Sequence, residues 1–447
     1  MTMIKRTAQQ IAAMCGGTID ERYADIKVEG VSIDSRFIDD AVLFVPFKGG
    51  NTDGHRYVAQ AIESGAAVSF WQNDVADAPE VPLIKVDDCL IALQKLSQSY
   101  LKEVRPTVIG ITGSNGKTTT KDMVASVLSS KFKVKKTIGN YNNEIGLPLT
   151  ICQLDDDTEV SILEMGMSGF REIALLSQLA EPDIAAITNI GESHMRDLGS
   201  RAGIAKAKFE ITEGLTGLFI YDGDEELLQP LAETFQGEKQ SIGFKADNDL
   251  PLRDIQQRDE VISFKVGSSE SIFELPMLGL HNVRNAAIAV TIGRYMKLSD
   301  AEINRNLAHL EMTGMRMEKL AGPAGSTLIN DAYNASPTSM KAAIDTMDAM
   351  DGSKYIVLSD VLELGPASEH YHREVGRYFA GKDMTLVATG EEARYIYEEA
   401  EKYVPAHYFR TKEEVTEFLR SRLNAETRVL FKASRGMKLE TIIEALA

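Results

Sequence analysis

The run Thr112-Gly113-Ser114-Asn115-Gly116-Lys117-Thr118-Thr119 sets two glycines, a lysine and several hydroxyls between an apolar β-branched run at 108–111 and a helical pattern at 117–129. That order builds a phosphate cradle. Glycines let successive backbone N–H groups converge, the helix N-terminus adds partial positive charge, Lys117 neutralises phosphate, and the Thr118 hydroxyl can ligate Mg²⁺. The general spacing of such loops needs a glycine at Ile111; Gly110 falls one residue early and Gly113 two late. The reading therefore rests on Gly113-x-x-Gly116-Lys117-Thr118, and it predicts a nucleoside triphosphate site.

Two more apolar runs end in residues that suit the same chemistry. The run at 160–163 stops at Glu164, and the run at 184–188 leads through Asn189-Ile190-Gly191-Glu192-Ser193 to His194. A carboxylate at the carboxyl end of a buried strand, beside a phosphate loop, is where Mg²⁺–ATP needs an anionic ligand. Lys208 follows in Ala205-Lys206-Ala207-Lys208, and Lys206 falls on a different face of any helix there. From its type alone, Lys208 is either a phosphate contact or a solvated helix residue.

The elements that must position these residues read as α/β. From 107 to 313, strands alternate with helical segments at 117–129 and 169–179, which implies βαβ units and a mostly parallel sheet. Residues 247–275 read as a small antiparallel addition. Residues 1–104 mix short strands (28–33, 42–47, 67–70) with helices (58–64, 90–101). The last third repeats the habit, with strands at 327–329, 355–358, 386–388 and 429–431 and a helix at 338–350. The charged joint Lys102-Glu103-Val104-Arg105-Pro106 marks the first boundary. The divisions are 1–104, 105–314 and 315–447.

Composition narrows the classes. The net charge of −18 is spread along the chain, which argues against a nucleic-acid or anionic-membrane binder. Three cysteines without a C-x-x-C pair support neither a disulfide framework nor a thiolate zinc site. The N-terminal segment reads as an amphipathic helix, and Gln9 and Gln10 interrupt any signal-peptide core. No apolar run nears the ~18 residues of a membrane span. The expectation is a cytoplasmic protein without membrane insertion.

Taken together, the 112–119 loop, Glu164-Met165-Gly166, His194 and Ala205–Lys208 resemble the Mur ligase family, ATP-dependent enzymes that add amino acids to a UDP-linked peptidoglycan precursor. The resemblance continues through Leu278-Gly279-Leu280-His281-Asn282-Val283-Arg284-Asn285, Met315-Arg316 and Asp331-Ala332-Tyr333-Asn334-Ala335-Ser336-Pro337. It implies three domains: an N-terminal one for the UDP-sugar, a central phosphate-loop ATPase and a Rossmann-like C-terminal one. Asn140-Tyr141-Asn142-Asn143, the 331–337 segment and Leu362-Glu363-Leu364-Gly365 with His372 point to the member that joins D-Ala-D-Ala to UDP-MurNAc-tripeptide. The alternative is a neighbour adding a single lysine or diaminopimelate.

The resemblance further implies residue roles. Gly113, Ser114, Asn115, Gly116, Lys117, Thr118 and Thr119 would hold ATP phosphates, with His281, Asn282 and Asn285 near adenine, and Arg316 and Asp331 arriving on domain closure. Asp34, Ser35, Arg36, Lys48, Gly49, Asp53, Gly54, His55, Asn140, Asn142 and Asn143 would hold the UDP-linked substrate. Mg²⁺ would be held by Thr118, Glu164, His194 and a carbamylated Lys208. Lys117, Glu164, His194 and Lys208 would be catalytic, in a monomer. Other readings of the residues stay open: Asn282 could cap its helix, and Asp34–Arg36 could be a surface turn with an ion pair. A phosphate-loop switch protein is the rival class, but it leaves Glu164, His194 and Lys208 at one sheet edge unexplained.

Overall fold

In the computed structural model, which describes residues 3–50, 52–258 and 261–447, three α/β sheets follow one another along the chain. The central, nine-stranded sheet positions the site. From one edge it runs Val134–Lys136, Val160–Glu164, Thr107–Thr112, Ile184–Ile187, Leu218–Asp222, Lys239–Gly243 and Leu250–Arg258, parallel throughout. Val261–Val266 and Phe273–Leu275 then add antiparallel strands at the far edge, the small addition read from 247–275. Alternate residues of the strands enter opposite cores. Val108, Leu163, Ala185 and Ile187 pack on one face, and Ile109, Ile111, Ile162, Ile184 and Ala186 on the other. Burial on both faces explains why these strands read as continuous apolar runs.

The phosphate-loop strand lies between the two strands that carry the other site residues. Glu164 pairs with Ile111, and Ile187 with Thr112. All three loops therefore leave the sheet at the same carboxyl edge, at the point where successive crossovers go to opposite sides and a crevice opens.

The C-terminal sheet has six strands, ordered Glu318–Ala321, Thr327–Asn330, Thr427–Lys432, Ser353–Leu358, Thr385–Thr389 and Ala406–Phe409, with only the first antiparallel. It too has a core on each face. The N-terminal five-stranded sheet runs Thr18–Ile19, Leu83–Val86, Val68–Gln72, Leu43–Phe44 and Val31–Ser32.

Two local expectations change. The single strand read at 28–33 is two pieces: Lys27–Glu29 pairs with Lys5–Thr7, and Val31–Ser32 joins the larger sheet, with a turn at Gly30 between them. The N-terminal helix starts at Ala8, because Thr7 caps it and Gln10 completes a capping box by accepting from the Thr7 N–H. Gln10, one of the two residues that break a signal-peptide core, thus forms part of the helix's start signal.

The joint between the central and C-terminal units is tied to the phosphate-loop helix Lys117–Leu128. Thr313 N donates to Asp122 Oδ2 at 2.8 Å, and Glu311 N to Ser126 Oγ at 3.4 Å. Asp122 is fully buried, and Lys136 Nζ lies 2.6 Å from its other oxygen.

Candidate active site

Gly116 adopts φ +81° at the start of the phosphate-loop helix, a conformation only glycine takes without strain, and an added Cβ would lie 2.7 Å from Asn285 Oδ1. At Gly113 an added Cβ would lie 1.8 Å from Thr188 Oγ1. The loop is thus wedged between its neighbouring strand and the helix Leu280–Tyr295. Asn189 fixes it from the side, its carbonyl taking Ser114 N at 3.1 Å and its side-chain oxygen taking Asn115 N at 2.8 Å. Lys117 Nζ folds back to donate to Gly113 O at 2.8 Å. Ser114 Oγ is buried, lines the cavity, and has no partner among the described residues.

Thr118 sits at the centre of a polar chain. Its hydroxyl donates to Glu164 Oε2 at 2.9 Å and accepts from Arg316 Nη2 at 3.0 Å. Asn142 Nδ2 donates to the other oxygen of Glu164 at 2.9 Å, and Glu164 is 3% exposed. Arg316 stacks over the Tyr333 ring, 4.1 Å from its centroid. Asp331 accepts from Met317 N at 3.2 Å and pairs with Lys432 Nζ at 2.6 Å.

Two lysines and a histidine have shifted proton affinities. Burial lowers the Lys117 pKa. Burial, and then repulsion from Lys117, takes Lys208 well below the ordinary lysine value. Lys208 is 2% exposed and its ammonium has no hydrogen bond or ion pair among the described residues, whereas Lys206 faces solvent. His194 lies 3.1 Å from Glu363 through Nδ1; burial lowers its pKa, against the opposing pull of that carboxylate. A lowered histidine pKa favours the neutral imidazole, the form that ligates metals.

These groups surround one cavity of about 570 Å³. Of the residues singled out in the sequence, it is lined by Gly113 to Thr119, Asn140, Asn142, Asn143, Glu164, His194, Lys208, His281, Asn282, Asn285, Arg316 and Asp331. Asn282 is not a cap: the helix Leu280–Tyr295 starts at Gly279 without a side-chain cap, and Asn282 Nδ2 donates to Leu278 O at 2.7 Å.

The remaining expected residues lie outside this cavity, in the N-terminal unit. Asp34 and Arg36 pair at 2.6 Å on the surface, and that pairing holds the Asp34 carboxyl down at about 2. Ser35, between them, does not line the cavity either. Asp53 Oδ1 lies 2.6 Å from His55 Nδ1, and His55 Nε2 accepts from Gln72 N at 3.3 Å. His55 is buried edge-on against Trp71, with both ring nitrogens engaged, so it braces the 48–55 turn from behind. Gly49 and Gly54 close that turn through backbone bonds to Thr52 and Phe47, and Lys48 pairs with Asp74 at 2.9 Å.

Lys432, Tyr333, Glu192 and Glu363 join the site without having been assigned roles from sequence. Tyr333 and Glu363 fell inside recognised motifs. Lys432 opens a Lys-Ala-Ser-Arg stretch that resembles the family's Lys-Gly-Ser-Arg, whereas Glu192 had no local signal, since it acquires its partner only through tertiary contact.

Family models match three segments: Mur ligase family, catalytic domain, over 27–100; Mur ligase middle domain over 111–293; and Mur ligase, glutamate ligase domain, over 315–435. The chain belongs to the Mur ligase family, with its three-domain α/β architecture. Among its relatives, the UDP-N-acetylmuramoyl-tripeptide–D-alanyl-D-alanine ligase of Bacillus subtilis is 45% identical and that of Escherichia coli 30%, each alignment covering 99% of both chains. A crystal structure of MurF from Acinetobacter baumannii superposes with a TM-score of 0.92 at 29% identity, covering 100% of this chain and 99% of that one. MurF ligase from Thermotoga maritima in complex with ADP gives 0.83 at 27%, covering 93% and 96%.

Proposed function

We propose that this protein is a cytoplasmic, monomeric ligase that joins D-Ala-D-Ala to UDP-MurNAc-tripeptide at the expense of ATP. The observation that carries the reading is the convergence of Lys117, Thr118, Glu164 and Arg316 on one cavity, in a chain 45% identical over its full length to a ligase of that name. The working division is 1–104 for the UDP-sugar, 105–314 for ATP, and 315–447 for closure and the incoming dipeptide.

A carboxylate is a poor acyl donor because its leaving group would be oxide. The tripeptide's terminal carboxylate attacks the γ-phosphorus of ATP, ADP leaves, and an acyl phosphate forms. The dipeptide amine adds to that carbonyl, the tetrahedral intermediate gives up the amine proton to solvent and collapses, and phosphate departs with the amide bond made. Negative charge accumulates at both steps, so fixed cations and N–H donors supply the main stabilisation. Lys117, the loop N–H groups, the unpartnered Ser114 hydroxyl and Arg316 are placed to serve the phosphates. His281, Asn282 and Asn285 face the base, and Asp331 the ribose. Asp34, Ser35, Arg36 and the 48–55 turn take the UDP end, and Asn140, Asn142 and Asn143 the peptide end.

The donor set fits magnesium: a hydroxyl and a buried carboxylate within 2.9 Å of each other, with a histidine of lowered proton affinity on the same cavity. When bound, the ion neutralises phosphate charge and polarises the transferring group. Lys208 fits carbamylation, since a buried amine of lowered proton affinity is the nucleophile CO₂ requires. The carbamate would convert a cation into an anion beside the metal.

The deciding assay is ADP release by purified protein with UDP-MurNAc-tripeptide and ATP, comparing D-Ala-D-Ala with lysine and diaminopimelate. Dipeptide-dependent release is expected. Release that depends on a single amino acid instead would overturn the assignment. Lys117→Ala should abolish release while the protein stays folded.

A further inference from the structure

The loop that follows Ile184–Ile187 touches both sides of the cleft. At its start Asn189 accepts two backbone N–H groups of the phosphate loop. Farther on, Glu192 is 9% exposed, and its carboxylate faces the first turn of the helix Pro337–Asp348 in the C-terminal domain. Thr338 Oγ1 lies 2.8 and 2.9 Å from the two carboxylate oxygens, and Thr338 N donates to Oε2 at 3.3 Å.

That first turn has few internal partners. Proline at its first position has no N–H to satisfy, and Ser339 N is taken by the Ser336 side chain. The N–H between them, of Thr338, is left for a group from outside the helix. Glu192 provides it, with a negative charge at the positive end of a helix dipole. Ser336 is itself shared across the cleft, since Asn115 Nδ2 of the phosphate loop donates to its Oγ at 3.0 Å. The same helix lines the ATP cavity through Thr338, Ser339, Ala342 and Ala343.

We propose that Glu192 is a positioning residue, a latch that caps a helix of the opposite domain and so holds the cleft closed over the phosphate loop. Opening returns the carboxylate and the Thr338 N–H to water, so the latch is reversible and of modest strength. Because one loop carries both Asn189 and Glu192, a shift of the phosphate loop on nucleotide binding reaches the latch directly. The kinetic consequence rests on the ligase reading; the structural one does not.

The test combines small-angle X-ray scattering of nucleotide-free protein with steady-state kinetics, on Glu192→Gln, Thr338→Val and the double variant. Losing a hydrogen bond to a charged group should cut the closed population about tenfold. Each single variant should then show a larger radius of gyration and a lower kcat, with KM for the UDP-linked substrate unchanged. The double variant should fall short of the product of the two single losses, because both act on one contact, of which Thr338→Val removes the hydroxyl bonds and leaves the backbone N–H bond. Thr338→Ser, which keeps the hydroxyl, should restore the wild-type profile. Scattering that superposes on wild type, or losses that multiply in the double variant, would overturn the latch. If Glu192→Gln does not fold, Thr338→Val reports on the same contact from the other domain. If the wild-type protein shows no ligation, scattering still decides the latch, and the functional reading fails separately.

Discussion

The guanidinium of Arg316 lies 3.0 Å from the hydroxyl of Thr118, although the two residues are 198 positions apart and belong to different sheets' domains. The contact is possible because Thr313 is bonded to Asp122, one turn along the same helix from Thr118. One residue of that helix holds the joint, and another receives the arginine that the joint delivers. Arg316→Lys removes the planar group that both donates to Thr118 and stacks on Tyr333. We expect kcat/KM to fall by about 10²-fold, the scale for losing one pre-positioned transition-state donor. An unchanged rate of ADP formation would show that the contact serves only domain packing.

Glu164→Gln keeps the shape of the Thr118 and Asn142 contacts and removes the charge. Its effect should appear as a raised Mg²⁺ requirement together with a slower chemical step. A magnesium titration of the initial rate separates these two effects. Identical half-saturation in mutant and wild type would remove Glu164 from the metal site.

Lys208→Ala should lose most of the activity, and formate should partly restore it by supplying an anion beside the metal. An unmodified lysine clamping phosphate predicts the reverse, since added anion would then compete. The pH dependence has a definite sign. Carbamylation needs the neutral amine, and burial lowers the Lys208 pKa, so protein stripped of CO₂ should regain activity with bicarbonate at neutral pH and progressively less on acidification. ¹³C NMR with labelled bicarbonate should show the carbamate; a bare amine across that range would rule it out.

Asp300 tests the scaffold behind the helix Leu280–Tyr295. It pairs with Arg294, Oδ1 to Nε at 2.7 Å and Oδ2 to Nη2 at 2.9 Å, and that hydrogen bonding holds its pKa at about 2 in the folded protein. A depressed folded pKa means that the stabilisation is full above the unfolded carboxylate range and is lost as pH falls through about 2. Asp300→Asn should melt earlier than wild type at neutral pH, with the gap closing on acidification. A gap that stays constant down to that pH would mean the ion pair contributes nothing.

Much of the site was readable because its residues stand at the ends of apolar runs or in the loops that leave them. Gly113 to Thr118 follow one strand of the central sheet, Glu164 ends a second, His194 lies in the loop after a third, and strand order alone brings these three ends together. What sequence did not reveal depends on contacts between distant segments. Glu192 and Thr338 are 146 positions apart, and nothing local marks either as half of a pair. The single strand read at 28–33 missed the break at Gly30, which sends the two halves to different sheets. Asp34 and Arg36 carry groups suited to a ligand, yet among the described residues they bond to each other on the surface.

Lys117 and Arg316 repel one another inside a cavity where Glu164 is the nearby counter-charge acting on Lys117. An empty cleft is therefore electrostatically uncomfortable, and any polyphosphate that enters relieves it. A ligand that binds only the folded state raises the free energy of unfolding in proportion to the logarithm of its concentration. The endurance of this protein then follows the energy supply of its surroundings: abundant nucleotide protects it from proteases and heat, and depletion leaves it the more easily destroyed.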